Sequence, residues 1–311
     1  VSAPALTDKD RADVELAREL RAEYLALSFV RSADNLRELR DLVSEDVLVL
    51  AKIEKDVAVQ ELEPILEASD AVMVARGDLG TELPFEQVPL VQKRIVRRAN
   101  ARYRPVIIAT EMLESMTERA RPTRAEVSDV ANAILDGTDA VMLSAETAVG
   151  RHPVEAVRAL TRVIREVESK SGLLGGGPPY DVPGAAGDGG PSSTEYAVAC
   201  ATLEAVRAID APAIVTHTRS GFTARVISSR RPPVPVLAVT DTEPVLRQLA
   251  MVWGVLPALC RAAPSDEAMW ETARAELLRH ELAASGDRVV VTAGVPFHVR
   301  GTTNMVRIQT L

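Results

Sequence analysis

The first half of this 311-residue chain alternates between two kinds of segment, and this alternation constrains the fold more than any other feature. Short apolar runs are separated by segments with helical periodicity. Runs of this length suit strands of a parallel sheet that is covered by helices. The alternation therefore predicts five consecutive βα units. Their strands are residues 24–30, 47–53, 71–75, 105–109 and 140–143.

Capping signals support the helices of this alternation. Thr7 and Asp10 resemble a capping box in which Asp replaces the usual Glu. Thr123 and Glu126 form a complete capping box, and Gly137 is a plausible stop for the helix that follows.

Polar side chains lie at or just beyond the ends of all five predicted strands. The carboxyl ends of parallel barrel strands meet on one face, where the chemistry of such folds is carried out. Pairing into structural ion pairs would explain any one of these residues, and a tight turn would explain Gly77 and Asp78. Five successive strand ends favour a functional cluster. Its members are Ser28, Lys52 with Glu54, Asp78, Thr110 and Ser144.

The residue types of this cluster indicate a metal and a phosphate. Lys52 and Glu54 are two positions apart on a strand, so their side chains point to the same side. A charged lysine there can neutralise a phosphoryl group. Glu54 and Asp78 are hard oxygen ligands that suit Mg²⁺ or Mn²⁺ rather than zinc. Thr110 and Ser144 could orient a substrate oxygen or relay a proton through water.

A second α/β unit is predicted after a linker. Residues 173–193 are rich in Gly and Pro and have little capacity to bury surface. Residues 194–311 then alternate again, which is typical of a small doubly wound domain. The predicted elements are helices at 194–209 and 266–284 and strands at 213–216, 234–239, 255–259, 288–293 and 305–310.

The loop after the first strand of this second unit is a candidate phosphate site. Thr218, Ser220 and Thr223 supply hydroxyls, Gly221 allows close backbone approach, and Arg219 adds the only charge. These groups and the free N–H groups of the helix start are the ingredients of a phosphate nest. The same residues also fit an ordinary capped helix start.

Composition excludes several classes of protein. The net charge of -8 argues against nucleic-acid binding. A membrane span needs about 20 apolar residues, and neither such a run nor a signal peptide is visible, so we expect a cytoplasmic protein. Cys200 and Cys260 lack ligand spacing, which predicts two buried thiols in a reducing compartment.

Five longer blocks of the chain resemble the pyruvate kinase family. They are AKIE at 51–54, MVARGDLG at 73–80, ATEMLESM at 109–116, RPTRAEVSDVANA at 121–133 and DGTDAVMLSAETA at 136–148. The resemblance extends over the whole chain. It implies that residues 1–172 are the last five βα units of a TIM (β/α)8 barrel, and that residues 194–311 are the regulatory α/β domain.

The resemblance implies phosphoryl transfer between phosphoenolpyruvate and ADP, giving pyruvate and ATP, with Mg²⁺ or Mn²⁺ and usually K⁺. Lys52 would match the lysine that steadies the transferring phosphoryl group. Glu54 and Asp78 would match the protein ligands of the metal. It also implies a homotetramer, in which the loop at residues 218–223 binds a sugar phosphate or nucleotide effector.

The resemblance assigns the remaining candidates to the substrate. The backbone at Gly77 and Asp78, with Thr110, would hold the substrate carboxylate. Thr110 and Ser144 would belong to the network that delivers a proton to the enolate.

Departures from the family pattern qualify these roles. Glu111 stands where the family usually has Gln, Ala145 where it usually has Gly, and Phe222 where a polar or basic side chain is common. The family's first three barrel strands and lid domain would precede Val1, together with the K⁺ ligands. We therefore expect this chain by itself to be inactive with phosphoenolpyruvate and ADP, and to aggregate through its open sheet edges.

Two alternatives stay open on the sequence. One is a metal-dependent barrel lyase or aldolase that acts on pyruvate-like substrates, which would share the carboxylate pair but would not need the loop at 218–223. The other is a non-catalytic, truncated regulatory protein that keeps the fold without turnover.

Overall fold

A computed structural model describes residues 4–170, 193–261, 265–294 and 303–311 of the chain. The chain divides into two compact units, Val1–Tyr180 and Asp181–Leu311, which are taken one at a time below. The predicted linker, apart from its last residue, lies outside the described residues.

The first unit is built on a five-stranded sheet in which each strand runs parallel to its neighbours. The strands follow one another across the sheet in sequence order. This arrangement confirms the five predicted βα units, although β1 is shorter than predicted because Phe29 turns the chain with φ of 54°. The strands are β1 (Tyr24–Leu27), β2 (Leu48–Ile53), β3 (Ala71–Ala75), β4 (Val106–Ala109) and β5 (Ala140–Met142).

Local sequence signals mark two helix starts and one helix end in the first unit. Both predicted capping boxes, at Thr7 and Thr123, are present. Gly137 follows the end of α7 with φ of 93°, a left-handed backbone that suits glycine. The helices are α1 (Asp8–Glu19), α2 (Ala33–Arg40), α3 (Asp56–Gln60), α4 (Leu62–Ala68), α5 (Arg76–Glu82), α6 (Val88–Asn100), α7 (Arg124–Leu135), α8 (Ala145–Ala148) and α9 (Pro153–Lys170).

The main core of the first unit lies between one face of the sheet and the helices. Val49, Ala51 and Ile53 of β2 belong to this core together with residues such as Leu36 of α2 and Ile65 of α4. Because side chains alternate along a strand, Lys52 projects from the opposite face. The pattern of β2 therefore separates the packed face from the face that carries the polar cluster.

The second unit is a doubly wound domain, as predicted. Its sheet has the order β10-β9-β6-β7-β8, and only β10 is antiparallel to its neighbour. The chain leaves β6 towards β7 and β8 and then returns to the other side of β6, so the strand order reverses between β6 and β9. The strands are β6 (Ile214–His217), β7 (Val236–Thr240), β8 (Val255–Leu259), β9 (Arg288–Ala293) and β10 (Met305–Thr310).

Helices cover both faces of this second sheet. One core cluster joins Val215 and Leu237 to Leu277 of α13, and another joins Ala238 to Leu249 of α12. The helices are α10 (Ser193–Ile209), α11 (Phe222–Ser229), α12 (Glu243–Leu249) and α13 (Asp266–Arg279).

Two sequence expectations about this unit were wrong in detail. The long helix ends at Arg279 rather than at residue 284, because Glu281 adopts a left-handed backbone (φ of 54°) and Leu282 donates back to the Leu277 carbonyl. Because residue 281 is Glu rather than the Gly that usually follows a helix end, this helix end could not be recognised in the sequence. Both cysteines are free, but only Cys260 is buried, whereas Cys200 is half-buried.

None of the helices in the described part of the chain has the length and apolar character that crossing a membrane requires.

Candidate active site

Ser28, Lys52 and Glu54 form one bonded group at the carboxyl edge of the first sheet. The register pairs Leu27 with Ala51, so Ser28 follows β1 beside Lys52. Lys52 Nζ lies 2.9 Å from Ser28 Oγ and 2.7 Å from Glu54 Oε1. The ammonium group is therefore held between a hydroxyl and a carboxylate, with about a quarter of the lysine side chain (24%) exposed.

Glu54 is fully buried and is oriented by the backbone. Its Oε2 accepts the N–H of Phe29 at 2.6 Å, which the left-handed backbone of Phe29 directs towards it. Its Oε1 faces Lys52 but accepts no well-aligned hydrogen bond from any described residue. A buried carboxylate oxygen with unused acceptor capacity is suited to a hard cation.

Asp78 lies in the first turn of α5, which begins directly after β3. Ala75 ends the strand and is also the N-cap of α5, so Gly77 and Asp78 belong to the helix and do not form the tight turn that the sequence allowed. The carboxylate of Asp78 is exposed and has no hydrogen-bond or ion-pair partner among the described residues. The described residues contain no group of three or more His, Cys, Asp or Glu side chains that could hold a metal ion.

Gly77 and Thr110 are joined across the ends of β3 and β4. The N–H of Gly77 donates to Thr110 Oγ1 at 2.9 Å, and the same hydroxyl donates to the carbonyl of Ala109 at 2.6 Å. Thr110 has φ of 67° and Glu111 has φ of 55°. The threonine hydroxyl is thus fixed by two hydrogen bonds and by an unusual backbone.

Sequence reasoning missed Arg76. This side chain is buried, with 8% exposed, and ion-pairs with Asp129 of α7 at 2.6 Å. It also donates to the carbonyl oxygens of Thr110 (2.8 and 3.2 Å) and Glu111 (2.9 Å). A charged residue that directly follows a wholly apolar strand is the one sequence signal that could have found it.

Glu146 is a second residue that sequence reasoning missed. Its buried carboxylate accepts the N–H of Ser144 at 2.8 Å and the N–H of Leu113 at 2.9 Å. Ser144 itself is half-buried just after β5. Glu146 therefore ties the backbone of Ser144 to the segment that follows β4.

The predicted phosphate loop lies at the carboxyl end of β6, beside the point where the strand order of the second sheet reverses. Ligands of doubly wound domains bind at such points. Of the five candidate residues, Arg219 and Ser220 are accessible, whereas Thr218, Gly221 and Thr223 are buried. The hydroxyl of Thr223 lies 2.8 Å from that of Thr303, so it is already engaged.

Two further charged or titratable groups lie near this loop. Arg225 Nη1 donates to the carbonyl of Ser220 at 3.3 Å, so Arg219 does not supply the only positive charge. The pKa of His217 is lowered to about 4, mainly by burial; the charge of Asp266 opposes this shift and that of Arg307 adds to it. His217 is therefore neutral at pH 7.

The fold is that of an α/β protein, with a five-stranded parallel sheet in the first unit and a separate doubly wound domain in the second. The family model described as "Pyruvate kinase, barrel domain" matches residues 1–157, and "Pyruvate kinase, alpha/beta domain" matches residues 196–309. The chain belongs to the pyruvate kinase family. The resemblance and the partial-barrel fold inferred from the sequence are confirmed.

Curated relatives carry the same family name. The chain is 44% identical over 312 residues to a pyruvate kinase of Mycobacterium intracellulare and 40% identical over 314 residues to one of Clostridium acetobutylicum. It is 42% identical over 312 residues to pyruvate kinase 2 of a Synechocystis species. Each alignment covers 99% of this chain but 64%, 65% and 51% of the respective relative. The chain therefore spans between about half and two thirds of the length of these relatives.

Proposed function

We propose that this chain carries the phosphoryl-transfer residues of a pyruvate kinase, which converts phosphoenolpyruvate and ADP to pyruvate and ATP. The observation that carries the proposal is the position of Lys52, whose ammonium group is held by Ser28 and Glu54 at the carboxyl edge of the sheet. Catalysis of phosphoryl transfer rests mainly on positioning and on fixed charge. A lysine that is held in one place supplies both.

Glu54, which pairs with Lys52, and Asp78 would hold a divalent cation. Glu54 offers a buried oxygen with unused acceptor capacity, and Asp78 offers an exposed carboxylate without a partner among the described residues. Both are hard oxygen donors, which favours Mg²⁺ or Mn²⁺. When bound, such an ion neutralises phosphate charge and orients substrate oxygens.

The substrate carboxylate is assigned to the backbone at Gly77 and Asp78 with Thr110. The first N–H groups of α5 have no partners within the helix, which makes them available to an anion. The N–H of Gly77 is donated to Thr110 in this structure, so a carboxylate would have to share or replace that bond.

Thr110 and Ser144 are assigned to proton delivery. The proton of the Thr110 hydroxyl is donated to the Ala109 carbonyl, so Thr110 would have to release this bond to act as a donor. Ser144 lies at the end of the neighbouring strand and would complete the path through water.

The remaining assignments concern the complete protein. They comprise K⁺ dependence, a homotetramer, a place in glycolysis in the cytoplasm, and an effector phosphate at the loop of residues 218–223. Arg219, Ser220 and the neighbouring Arg225 supply the accessible polar groups for that effector. Because the loop belongs to the other unit, an effector would influence Lys52 only by favouring one state of the protein over another.

Ligand binding to a complete, Mn²⁺-saturated enzyme that carries these residues tests the function. Lys52→Met should weaken phosphoenolpyruvate binding by about tenfold or more, the loss of one charged contact, and pyruvate binding much less, because pyruvate lacks the phosphoryl group. Lys93→Met, which breaks an ion pair with Asp136 on the helix layer, is the matched control and should change neither.

An equal effect of Lys52→Met on both ligands would contradict the assignment. Cleavage of a 4-hydroxy-2-oxo acid by the Mn²⁺-loaded enzyme, without binding of phosphoenolpyruvate, would support the lyase alternative.

A further inference from the structure

The segment that follows β4 has a strained backbone. We call residues 110–113 the β4 turn. Thr110 and Glu111 are consecutive, and both lie in the left-handed region, with φ of 67° and 55°. This region is unfavourable for residues with a Cβ, most of all for a β-branched residue such as threonine, and it persists only where the surroundings hold it. The β4 turn must therefore be held by its neighbours.

A buried cation holds the beginning of the β4 turn. Arg76 donates to the carbonyl oxygens of Thr110 and Glu111 and lies 3.0 Å from the sulfur of Met112. Asp129 fixes the guanidinium group from the other side. A planar fork of donors can serve two carbonyl groups and a carboxylate at once, which the single ammonium group of a lysine cannot do with the same geometry.

A buried anion holds the end of the same turn. Glu146 accepts the N–H of Leu113 with one oxygen and the N–H of Ser144 with the other. An ionised carboxylate only accepts hydrogen bonds, so it matches two backbone donors, whereas a glutamine would present an NH₂ group to one of them. The two charges thus bind opposite ends of one short segment.

We infer that Arg76 and Glu146 are positioning residues that together hold the β4 turn, and thereby couple the hydroxyl of Thr110 to the backbone of Ser144. Neither residue is assigned to contact substrate. The inference rests on the proposed function only in that Thr110 and Ser144 serve the reaction. If the inference is correct, a change that weakens the hydrogen bonds at one end of the β4 turn also weakens those at the other end.

Amide hydrogen exchange in a complete enzyme that carries these residues tests this coupling without any ligand. The probes are the N–H groups of Gly77, which reports on Thr110, and of Leu113 and Ser144, which report on Glu146. Arg76→Lys and Glu146→Gln should each accelerate exchange at all three probes by about tenfold or more.

Two further variants complete the design. Arg102→Lys is the matched control, because Arg102 is also an arginine in an ion pair, with Glu63, and only 10% of its side chain is exposed; it should leave the three probes unchanged. Asp129→Asn keeps both positioning residues and removes only the anchor of Arg76. If Arg76→Lys fails to fold, Asp129→Asn should still accelerate exchange at Gly77 and Ser144, by a smaller factor.

A second readout separates positioning from a purely structural role. Arg76→Lys should weaken pyruvate binding to the Mn²⁺-loaded enzyme by about tenfold, because Thr110 moves. The affinity for Mn²⁺ itself should stay within about twofold, because no contact joins Arg76 to the carboxylates of Glu54 or Asp78. Equal losses of both affinities would show general disruption and overturn the positioning role.

The outcomes distinguish this inference from the proposed function. Acceleration of only the nearest probe in each variant, or of none, overturns the coupling. Acceleration of all three probes in an enzyme that binds Mn²⁺ but no pyruvate leaves the coupling standing and contradicts the function.

Discussion

The two units both gather polar residues at the carboxyl ends of parallel strands, yet these residues differ in kind. In the first unit they include charged side chains, and two of these, Lys52 and Glu54, form an ion pair. In the second unit the equivalent edge carries buried hydroxyls, at Thr216 and Thr218, and a histidine, His217, whose pKa is lowered to about 4.

The comparison shows that the topology of a sheet determines where a site lies, whereas the side chains at that place determine its chemistry. Parallel strands bring their ends together in both units. Fixed opposite charges make the first edge suited to stabilising charge that moves during a reaction. The second edge holds few charges and is suited to binding a ligand that stays unchanged. The following predictions test this contrast, beginning with the largest effect.

The neutral state of His217 at the second edge can be tested by varying the pH. The folded pKa of His217, about 4, lies below its ordinary value of 6.5, so the unfolded chain binds this proton more tightly. The contribution of the neutral histidine to the free energy of unfolding is complete above pH 6.5 and is lost as the pH falls from 6.5 to about 4. We expect a loss of about 3 kcal/mol in the free energy of unfolding.

Urea unfolding at a series of pH values measures this loss. His217→Gln should flatten the dependence between pH 6.5 and 4, and His280→Gln, a change at a more exposed histidine, serves as the control. An unchanged slope in His217→Gln would mean that the fold does not hold His217 in its neutral form.

The charge of the first edge can be tested through metal binding. Glu54→Gln and Asp78→Asn should each weaken Mn²⁺ binding by about 10- to 100-fold, the range seen when groups that support a metal site are removed, and turnover of a complete enzyme carrying them should fall with it. Mn²⁺ titration followed by electron paramagnetic resonance measures the affinity. Glu63→Gln, a change at a carboxylate paired with Arg98, is the control.

If Asp78→Asn left both metal affinity and turnover unchanged, the assignment of two carboxylate ligands would be wrong.

The backbone of the second edge can be tested with a pair of glycines. Gly221 has φ of 74°, and an added Cβ would lie 3.1 Å from Leu249 Cδ2. Gly221→Ala should therefore destabilise the protein by about 1–2 kcal/mol. Gly80 lies in α5 with nothing within 4 Å of an added Cβ. Gly80→Ala should stabilise the protein by about 0.5–1 kcal/mol.

Thermal unfolding of the two variants measures these changes. Destabilisation by both to the same extent would show that the left-handed backbone at Gly221 carries no special requirement.

The smallest effect concerns ligand binding at the second edge. A sugar phosphate that binds the loop of residues 218–223 should raise the free energy of unfolding by about 1 kcal/mol when it is present at several times its dissociation constant. Arg219→Ala and Ser220→Asp should abolish this increase, because they remove a positive charge and add a negative one. In a complete enzyme, both variants should leave unstimulated turnover nearly intact.

Differential scanning fluorimetry with and without the sugar phosphate measures the increase, and Arg207→Ala, a change on the surface of α10, is the control. A titration that moved neither thermal stability nor the response to phosphoenolpyruvate would remove the effector assignment.

Local signals in the sequence were enough to predict the elements and the edge of the sheet on which the polar residues lie. The five βα units follow from the periods of strands and helices, and capping boxes at Thr7 and Thr123 mark two helix starts. The position of Lys52 opposite the packed face follows from the alternation of β2. All of these features depend on residues that are close together in the chain.

Only the tertiary structure decided how these residues are held. Arg76 binds Thr110 from 34 positions away and Asp129 from 53, and Glu146 binds Leu113 from 33. The engagement of the Thr223 hydroxyl by a residue 80 positions away was equally hidden. Local patterns report the conformation of a segment, but they carry no information on which distant donor meets which acceptor. That choice is made by the packing of the whole unit, because buried polar groups bond to whatever partners the fold brings beside them.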